Sequence, residues 1–571
     1  MRDVLFITPN MTGSIVQEAM GTLQLASILK EKNISCEILP FYKIGDLSDF
    51  EAFLQNAINI IDELKPKIVS FYTRCDVYHI DLTLAKTIKE NFPDIYIVCG
   101  GPQSDITSVK TIEQIDFVDF ICCGEGEKTI YPFFLSLLNG KPDLTVDGLV
   151  YRMDGKVVKN PRPALLENLD ELTMPDYSFL RIEDEDKIDE GGFPIEVGRG
   201  CPFGCTFCST NAFWGRRYRL KSPQRIYEEV KAVHDSNGVS RFSFQHDMFT
   251  LNKKKVIETC DLLKTLDFPI IWGASARVDC IDKEMIDAMA EAGMRSIFLG
   301  IETGSPRMQK IINKNLDLEK TEELVEYIAK KGVRPTVSMI YGFPEENEED
   351  ISQTIALLGK LVRFKKTILS LHLCAFFVGT PMSEQYADQM KPVDYYSNET
   401  GDFAVEECKD IILNHPDLFT HMLEYKTELR QKLKYFEVFM HVWQAIQPVY
   451  QYISEKYDEN RLIDMYYDFV AANNETLSQK YDEGKGKVVN AVIANDKFAE
   501  SFKNDENYDV IADYYRLQKI MRSEEYMKTK SFMDAFCFDI NTAGKYSSIK
   551  DYPRGKYMTV CKNGKFATFK K

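Results

Sequence analysis

The sequence predicts an α/β protein in three parts: a doubly wound parallel sheet (1–145), an open or partial barrel of six parallel strands (191–390) and a mainly helical C-terminal domain (391–571). Two series of apolar strands alternating with amphipathic helices predict the first two parts, because this alternation is typical of parallel sheets covered by helices. Long helical patterns rich in Tyr, Phe, Lys and Glu predict the third part. A connector at 146–190 separates the two alternating series.

The strands of the first series are short apolar runs, and helical patterns fill the gaps between them. The predicted strands are Val4–Ile7, Ser35–Leu39, Ile68–Tyr72, Ile95–Gly100 and Phe117–Cys122. The predicted helices are Gln17–Lys32, Phe50–Leu64, Asp81–Asn91 and Glu127–Leu138. This order is typical of a Rossmann-like domain, whose ligands bind at the carboxyl ends of the strands. Two glycine-bearing turns, 100–103 and 124–127, lie at such ends and either close tight turns or let a ligand approach the backbone.

The connector contains a predicted β-hairpin, in which Asp154-Gly155 is the turn between two short strands. A stretch rich in proline and acidic residues follows, from Asn160 to Glu190. The second series then supplies six strands, which are Phe193–Val197, Arg241–Phe244, Ile270–Ala274, Ser296–Ile301, Thr336–Tyr341 and Ile368–Phe377. Five helices separate them, which are Pro223–His234, Lys255–Leu266, Lys283–Ala292, Lys320–Lys331 and Glu348–Leu361. In such barrels the chemistry takes place at the strand C-termini.

The C-terminal part carries two long helical patterns, Leu418–Tyr452 and Glu459–Lys480, and no motif with a recognisable chemistry. Its aromatic helices are typical of a plain core, or of a cover over the barrel mouth that recruits a substrate.

Composition and charge exclude several classes of protein. A formal charge of −17 argues against nucleic-acid binding, which depends on basic surface that neutralises phosphates. No run of about 18 uncharged apolar residues is present, so we expect no membrane span. The segment Met1–Ile7 lacks the features of a secretory leader, so we expect a cytoplasmic protein whose 14 cysteines are reduced.

The most informative segment contains Cys201, Cys205 and Cys208, spaced C-x3-C-x2-C in a loop directly after the first barrel strand. Thiolates at this spacing select zinc or an iron–sulfur cluster. Three cysteines without a local fourth leave one iron of a 4Fe–4S cluster open, and an open iron binds a substrate or cofactor. The alternative is a zinc site completed by a remote ligand, for which His246 and Cys280 are candidates.

This cysteine spacing, with Phe207 before the last cysteine, resembles the signature of radical S-adenosylmethionine (SAM) enzymes. The resemblance implies a partial (β/α)6 barrel and a 4Fe–4S cluster held by the three cysteines. It also implies that the open iron binds SAM, which is cleaved to a 5′-deoxyadenosyl radical. Segments at later strand ends extend the likeness, including Gly300-Ile301-Glu302-Thr303-Gly304 and Gly379-Thr380-Pro381. The SAM contacts implied by this likeness are Phe207, Gln245, Asp247, Ser275, Arg277, Glu302 and Tyr341.

The first domain resembles the cobalamin-binding domain that precedes the barrel in one branch of this family. The likeness rests on 21–26, on the two glycine turns and on the connector segment 169–177. Expected cobalamin contacts are Thr73, Gly100, Gly101, Gln103, Gly124 and Glu125. The D-x-H-x-x-G motif that supplies a cobalt-ligating histidine elsewhere is absent, and His79 is the domain's one histidine. It is therefore either a lower ligand or an ordinary solvated side chain, and a domain that has lost the cofactor remains an alternative.

The resemblance implies a cobalamin-dependent methyltransferase that acts on an unactivated carbon of a small molecule or peptide. The alternative is a radical cyclisation, rearrangement or oxidation, with or without cobalamin. A third hypothesis, from a different class, is a corrinoid- or metal-binding protein without catalysis. An enzyme of this family also needs an electron donor such as flavodoxin or ferredoxin.

Overall fold

The computed structural model describes residues 2–11, 19–180, 192–361, 364, 367–391, 404–436, 438–440, 461–480, 492, 557–562 and 565–570. The acid-rich stretch at 181–190, residues 441–452 of the predicted C-terminal helix and most of 481–571 lie outside these ranges.

The first domain is built on a seven-stranded sheet of order β2-β1-β3-β4-β5-β6-β7. Its strands are β1 Val4–Thr8, β2 Cys36–Pro40, β3 Ile68–Tyr72, β4 Tyr96–Gly100, β5 Phe120–Cys122, β6 Leu149–Met153 and β7 Lys156–Lys159. The first five are parallel, which confirms the doubly wound prediction. The connector's hairpin, β6–β7, pairs antiparallel with β5 and extends this sheet. Its turn has φ of 51° at Asp154 and 73° at Gly155, the backbone that an Asp-Gly hairpin turn requires.

Helices cover both faces of this sheet. They are α1 Met20–Glu31, α2 Phe41–Ile44, α3 Phe50–Leu64, α4 Tyr78–Asn91, α5 Pro102–Ile106, α6 Ser108–Gln114 and α7 Ile130–Leu138. Every side chain of β1 is buried: Leu5 and Ile7 join the core on one face, while Val4 and Phe6 join the core on the other. A strand that is apolar on both sides is what a central parallel strand needs.

The barrel is a six-stranded parallel sheet of order β15-β14-β13-β12-β11-β8, which confirms the predicted six strands. Its strands are β8 Phe193–Glu196, β11 Arg241–Gln245, β12 Ile271–Arg277, β13 Met294–Glu302, β14 Arg334–Tyr341 and β15 Ile368–Leu373. Two short strands, β9 Gly198–Arg199 and β10 Arg219–Leu220, pair antiparallel at its mouth. The helices are α8 Thr210–Trp214, α9 Pro223–Asn237, α10 Lys253–Leu263, α11 Lys283–Glu291, α12 Pro306–Ile311, α13 Leu318–Lys330, α14 Glu348–Leu361 and α15 Pro381–Gln385.

The described C-terminal segments pack on both domains. Leu418, Phe419 and Met422 belong to the core of the first domain. Leu423 and Tyr425 belong to a cluster at the barrel rim. The barrel core includes Leu433, Phe436, Val438, Phe439, Met440, Tyr466, Phe469, Leu477 and Val492.

The helix predicted from Leu418 is wrong over its first residues. Short helices are present at α16 Lys409–Asn414 and α17 Glu428–Lys432, and the chain between them includes an extended stretch at 423–427. The extended stretch carries apolar side chains from one core to the other, which a continuous helix with a single apolar stripe does not do.

The second predicted C-terminal helix is present as α18 Arg461–Lys480. A terminal hairpin, β16 Tyr557–Lys562 and β17 Lys565–Lys570, was missed. The Asn563-Gly564 pair between its strands is the sequence signal that predicts it. No helix in the described part of the chain has the length and apolar character needed to cross a membrane.

Candidate active site

A cavity of about 630 Å³ lies where the C-terminal ends of the barrel strands face the first domain. The barrel contributes the three cysteines and most of the residues predicted to contact SAM. The first domain contributes Met20 and Gly21 at the start of α1, and Tyr72 and Arg74 at the end of β3. One cavity is therefore walled by both of the domains to which the sequence assigned cofactors.

The loop between β9 and β10, residues 200–218, carries Cys201, Cys205 and Cys208 and is called the cluster loop below. Gly200 begins it with φ of 82°, and a Cβ there would lie 2.1 Å from the carbonyl oxygen of Arg217. Only glycine fits this close approach of two chain segments. Burial raises the pKa of the Cys201 thiol to about 11 and also raises the pKa of Cys208. Soft thiolate donors on one loop, facing a cavity, suit an iron–sulfur cluster with an open iron.

Neither residue proposed as a fourth zinc ligand converges with the three cysteines on one metal position. His246 lines the cavity, but its Nδ1 accepts a hydrogen bond from the backbone N–H of Met248 at 3.0 Å. Burial lowers the pKa of His246 to about 4, so the ring is neutral. The Sγ of Cys280 lies 3.8 Å from a carboxylate oxygen of Asp279. Within the described residues, no three His, Cys, Asp or Glu side chains converge on a position for a single metal ion.

A buried group of charged residues joins the cluster loop to the first domain, and we call it the ionic clamp. Glu125 accepts hydrogen bonds from Arg199 at 2.7 Å and from Arg219 at 2.8 Å with each carboxylate oxygen. Arg199 also bonds Glu127 at 2.6 Å and Glu196 at 2.9 Å. The two arginines face each other across the β9–β10 pair, at either end of the cluster loop. The clamp therefore fixes both ends of that loop to the glycine turn at 124–127.

Arg277, at the end of β12, lies against the cluster loop. Its Nη1 is 3.6 Å from the Sγ of Cys205, and its guanidinium carbon is 4.0 Å from the ring centre of Phe203. Asp279 accepts from Nε at 2.8 Å and from Nη2 at 3.0 Å. The guanidinium is thereby held in one orientation beside the thiols, with its charge next to any anionic group bound there.

Glu302, at the end of β13, is buried and paired with a lysine that the sequence did not single out. Its Oε1 is 2.6 Å from the Nζ of Lys314, and both side chains line the cavity. Glu302 has φ of 71°, in the left-handed region, where the strand register shifts. A non-glycine residue in this region is strained, and such strain clusters at functional sites.

Three more predicted SAM contacts line the cavity. Gln245 donates to the hydroxyl of Ser243 at 2.9 Å, and Ser275 faces the cavity from β12. Burial raises the pKa of Asp247, which lies within 3.4 Å of the hydroxyl of Thr210.

The two predicted aromatic contacts differ in position. Phe207 lines the cavity and packs edge-on against Phe343, with ring centres 6.0 Å apart. Tyr341 is 2% exposed and packs against Phe436 in the barrel core, so the structure does not bring it to the cavity.

None of the six residues predicted to contact cobalamin is among those lining the cavity. The Oγ1 of Thr73 donates to the carbonyl of Gly100 at 3.0 Å, and Gly101, with φ of 96°, closes the turn beside it. The amide of Gln103 donates to the carbonyl of Leu418 at 2.8 Å. Thr73 and Gly101 therefore close a turn, and Gln103 holds the C-terminal segment. Glu125 likewise holds another segment, the cluster loop, through the clamp.

Two further predicted features of the first domain also lie away from the cavity. The backbone N–H of Gly124 bonds the carboxylate of Asp105 at 2.6 Å. His79 is 1% exposed, so it is not a solvated side chain. Tyr72 and Arg74, the chain neighbours of Thr73, do face the cavity, and their position at the end of an apolar strand could have indicated them.

The comparisons with known proteins agree with this geometry. Residues 195–358 match the radical SAM superfamily. An uncharacterized methyltransferase of Pyrococcus horikoshii is 31% identical over 371 residues, which cover 63% of this chain and 78% of that protein. The anaerobic magnesium-protoporphyrin IX monomethyl ester cyclase of Rubrivivax gelatinosus is 28% identical over 366 residues, which cover 62% of this chain and 64% of that protein.

Among solved structures, the cobalamin-dependent SAM radical enzyme OxsB, with aqua-cobalamin and SAM bound, superposes with a TM-score of 0.62 at 16% identity. The superposition covers 96% of this chain and 82% of OxsB, and shows that both share one fold. OxsB was solved with cobalamin and SAM, two of the three cofactors that the sequence predicts for this chain. The chain belongs to the radical SAM superfamily.

Proposed function

We propose that this chain is a cobalamin-dependent radical SAM methyltransferase that acts on an unactivated carbon of a small molecule or peptide. The observation that carries the proposal is the shared cavity, in which the three cysteines face Tyr72 and Arg74 of the first domain. When bound, the cluster and SAM supply the radical and the corrinoid supplies the methyl group. The related methyltransferase supports this outcome.

In this proposal the barrel residues hold and orient the cofactors. Cys201, Cys205 and Cys208 hold the cluster. Arg277 and Glu302 present opposite charges on neighbouring strand ends and so match the charged groups and hydroxyls of SAM. Gln245, Asp247 and Ser275 supply further polar contacts, and Phe207 an apolar one. Orientation is decisive because a radical must meet one target hydrogen at short range.

Apolar side chains form part of the wall of the same cavity. Met20, Phe203, Trp214 and Phe298 line it, and Phe298 remains 41% exposed although it is large and apolar. A face of this kind, turned into a cavity, suits the apolar part of a substrate. It also protects a radical from side reactions with solvent.

We place the corrinoid at the end of β3, against Tyr72 and Arg74. In this placement Thr73, Gly100, Gly101 and Gly124 would close the turns that support this edge of the sheet and would not contact the corrinoid. The side chains of Gln103 and Glu125 are already bonded to Leu418 and to the clamp, so we assign them to holding the protein together. Tyr341 as a SAM contact stays a prediction.

We further propose that the protein works in a reducing compartment, the cytoplasm, with flavodoxin or ferredoxin as electron donor. None of the cysteines from Cys36 to Cys408 forms a disulfide bond, which suits such a compartment.

Anaerobic reconstitution with iron, sulfide and cobalamin, followed by incubation with SAM and a reductant and analysis of the products, tests the proposal. We expect 4Fe–4S absorbance, a bound corrinoid in the visible spectrum, and both S-adenosylhomocysteine and 5′-deoxyadenosine as products. Cys205→Ser should lose the cluster absorbance, while the matched control Cys280→Ser keeps it. Equal loss of metal in both variants would support the four-ligand zinc site instead.

The second candidate is a radical cyclisation or oxidation, favoured by the similarity to the cyclase of Rubrivivax gelatinosus. It predicts 5′-deoxyadenosine without S-adenosylhomocysteine and a product that gains no CH₂ unit. Failure to bind any corrinoid would reject the methyltransferase and leave this candidate standing.

A further inference from the structure

A short turn after α12, Ile312–Asn315, has an unusual backbone, and we call it the asparagine turn. Asn313 has φ of 54° and Asn315 has φ of 58°, both in the left-handed region. Asparagine tolerates this region better than most residues, but each such position still costs conformational energy. Two of them within three residues persist only where surrounding contacts hold them.

The asparagine turn contacts the cluster loop twice. The backbone N–H of Thr206 donates to the carbonyl of Ile312 at 3.1 Å. The side-chain amide of Asn313 donates to the carbonyl of Gly204 at 2.8 Å. Both bonded residues flank Cys205, so the turn fixes the backbone on each side of the central cysteine.

Lys314 reaches two predicted SAM contacts from the same turn. Its Nζ bonds Glu302 at 2.6 Å, and its backbone carbonyl accepts a hydrogen bond from Nη2 of Arg277. Arg277 in turn lies 3.6 Å from the Sγ of Cys205. A single residue thereby sets the positions of an anionic and a cationic side chain on either side of the cavity.

Termination of α12 does not explain these features. The N–H groups of Lys314 and Asn315 both bond the carbonyl of Gln309, which closes the helix end. One left-handed residue is enough for that purpose. A second left-handed residue and a lysine that is 7% exposed are not needed to end a helix.

We propose that Lys314 is a positioning residue for SAM. Its ammonium group orients the Glu302 carboxylate, next to an Arg277 guanidinium that the backbone carbonyl of the same residue holds beside the cluster loop. The inference rests on the proposed function only in that the cavity binds SAM, and it does not depend on methyl transfer.

Equilibrium binding of SAM to the cluster-loaded full chain tests this role, with titration calorimetry and the EPR spectrum of the reduced cluster as readouts. Lys314→Gln keeps a donor without the charge, and Lys314→Met removes both. We expect both variants to keep wild-type iron content and to bind SAM about 10- to 100-fold more weakly, because a charged hydrogen bond that orients Glu302 is lost. We expect Lys314→Arg to restore affinity to within about threefold, since it keeps the charge.

Lys310→Met, on the exposed side of α12, is the matched control and should bind SAM like the wild type. Wild-type affinity and an unchanged EPR response to SAM in Lys314→Gln would overturn the role of Lys314. If Lys314→Met does not fold, Lys314→Gln decides the question. A wild-type protein that carries the cluster but does not bind SAM would overturn the proposed function of the site together with this role.

Discussion

The cluster loop is held from two sides, and the two attachments differ in kind. On one side the ionic clamp, a group of five buried or half-buried charged side chains, joins it to Glu125 and Glu127 of the first domain, and both arginines share Glu125. On the other side the asparagine turn holds it through neutral hydrogen bonds from the same barrel. Buried ion pairs attract each other strongly, but removing their charges from water costs much free energy. Neutral amide hydrogen bonds are weaker and cost less to bury. Charged side chains therefore hold the two ends of the loop, whereas neutral hydrogen bonds hold its centre around Cys205.

The largest expected effect is that of Glu125→Gln. It removes the carboxylate that balances two buried arginines, so we expect the free energy of unfolding to fall by about 3 to 5 kcal/mol. Urea unfolding of the full chain measures this. Asp176→Asn is the control, because it breaks the exposed pair with Lys30 and should cost at most about 1 kcal/mol. Equal losses in the two variants would mean that the clamp is an ordinary surface network.

The double variant Glu125→Gln with Arg219→Met separates the cost of an unpaired charge from the loss of the link. Glu125 is the one carboxylate partner that Arg219 has in the described part of the chain. Replacing that arginine should therefore recover about 2 kcal/mol of the loss, since a buried charge without a partner is the main penalty. A double variant less stable than Glu125→Gln alone would show that Arg219 contributes through packing instead.

Lowering the pH should weaken the ionic clamp, whose carboxylates become protonated, but not the neutral hydrogen bonds between the asparagine turn and the cluster loop. Burial opposes the charged form of Glu125, but hydrogen bonds from Arg219 and attraction to Arg199 outweigh it and lower the pKa below the usual 4.5. The pKa of Glu196 is lowered in the same way by Arg199. This stabilisation is complete above pH 4.5 and is lost as the pH falls through the lowered values. Unfolding free energy between pH 6 and 3 should fall less steeply in Glu125→Gln than in the wild type.

The smallest expected effect is that of Asn313→Ala. It removes one exposed hydrogen bond to the cluster loop and leaves alanine with left-handed backbone, at a cost of about 0.5 to 1.5 kcal/mol. Asn313→Gly also loses the bond but relieves the backbone, so it should be the more stable of the two. Thermal unfolding compares them. A more stable alanine variant would contradict the strain assigned to this position.

The sequence was sufficient for the features that depend on local pattern. Apolar strands alternating with amphipathic helices predicted both parallel sheets, and the spacing of Cys201, Cys205 and Cys208 predicted the loop that faces the cavity. The family likeness at two strand ends indicated Arg277 and Glu302, and both reach the cavity because strand ends converge in a parallel barrel.

The features that were missed depend on contacts between distant segments. Glu125 lies 74 residues from Arg199 and 94 from Arg219, and nothing local distinguishes it from a turn residue. Lys314 follows a short helix in an ordinary polar stretch, and only the folded chain brings it to Glu302. The segment 404–425 likewise has no periodic apolar pattern. Its apolar side chains belong to two different cores, one in the first domain and one at the barrel rim, and not to one face of a helix or strand.

That segment has a consequence for the newly synthesised chain. Ala404, Cys408, Ile412 and Phe419 complete the hydrophobic core of the first domain, yet they leave the ribosome only after the barrel strands. At ~5 to 20 residues per second, the gap lasts on the order of ten seconds or more. During that time the apolar surface around Tyr78, which Phe419 later covers, stays open to chaperones or to other nascent chains. The N-terminal domain is thus made first and finished last, and its maturation depends on the translation of almost the whole barrel.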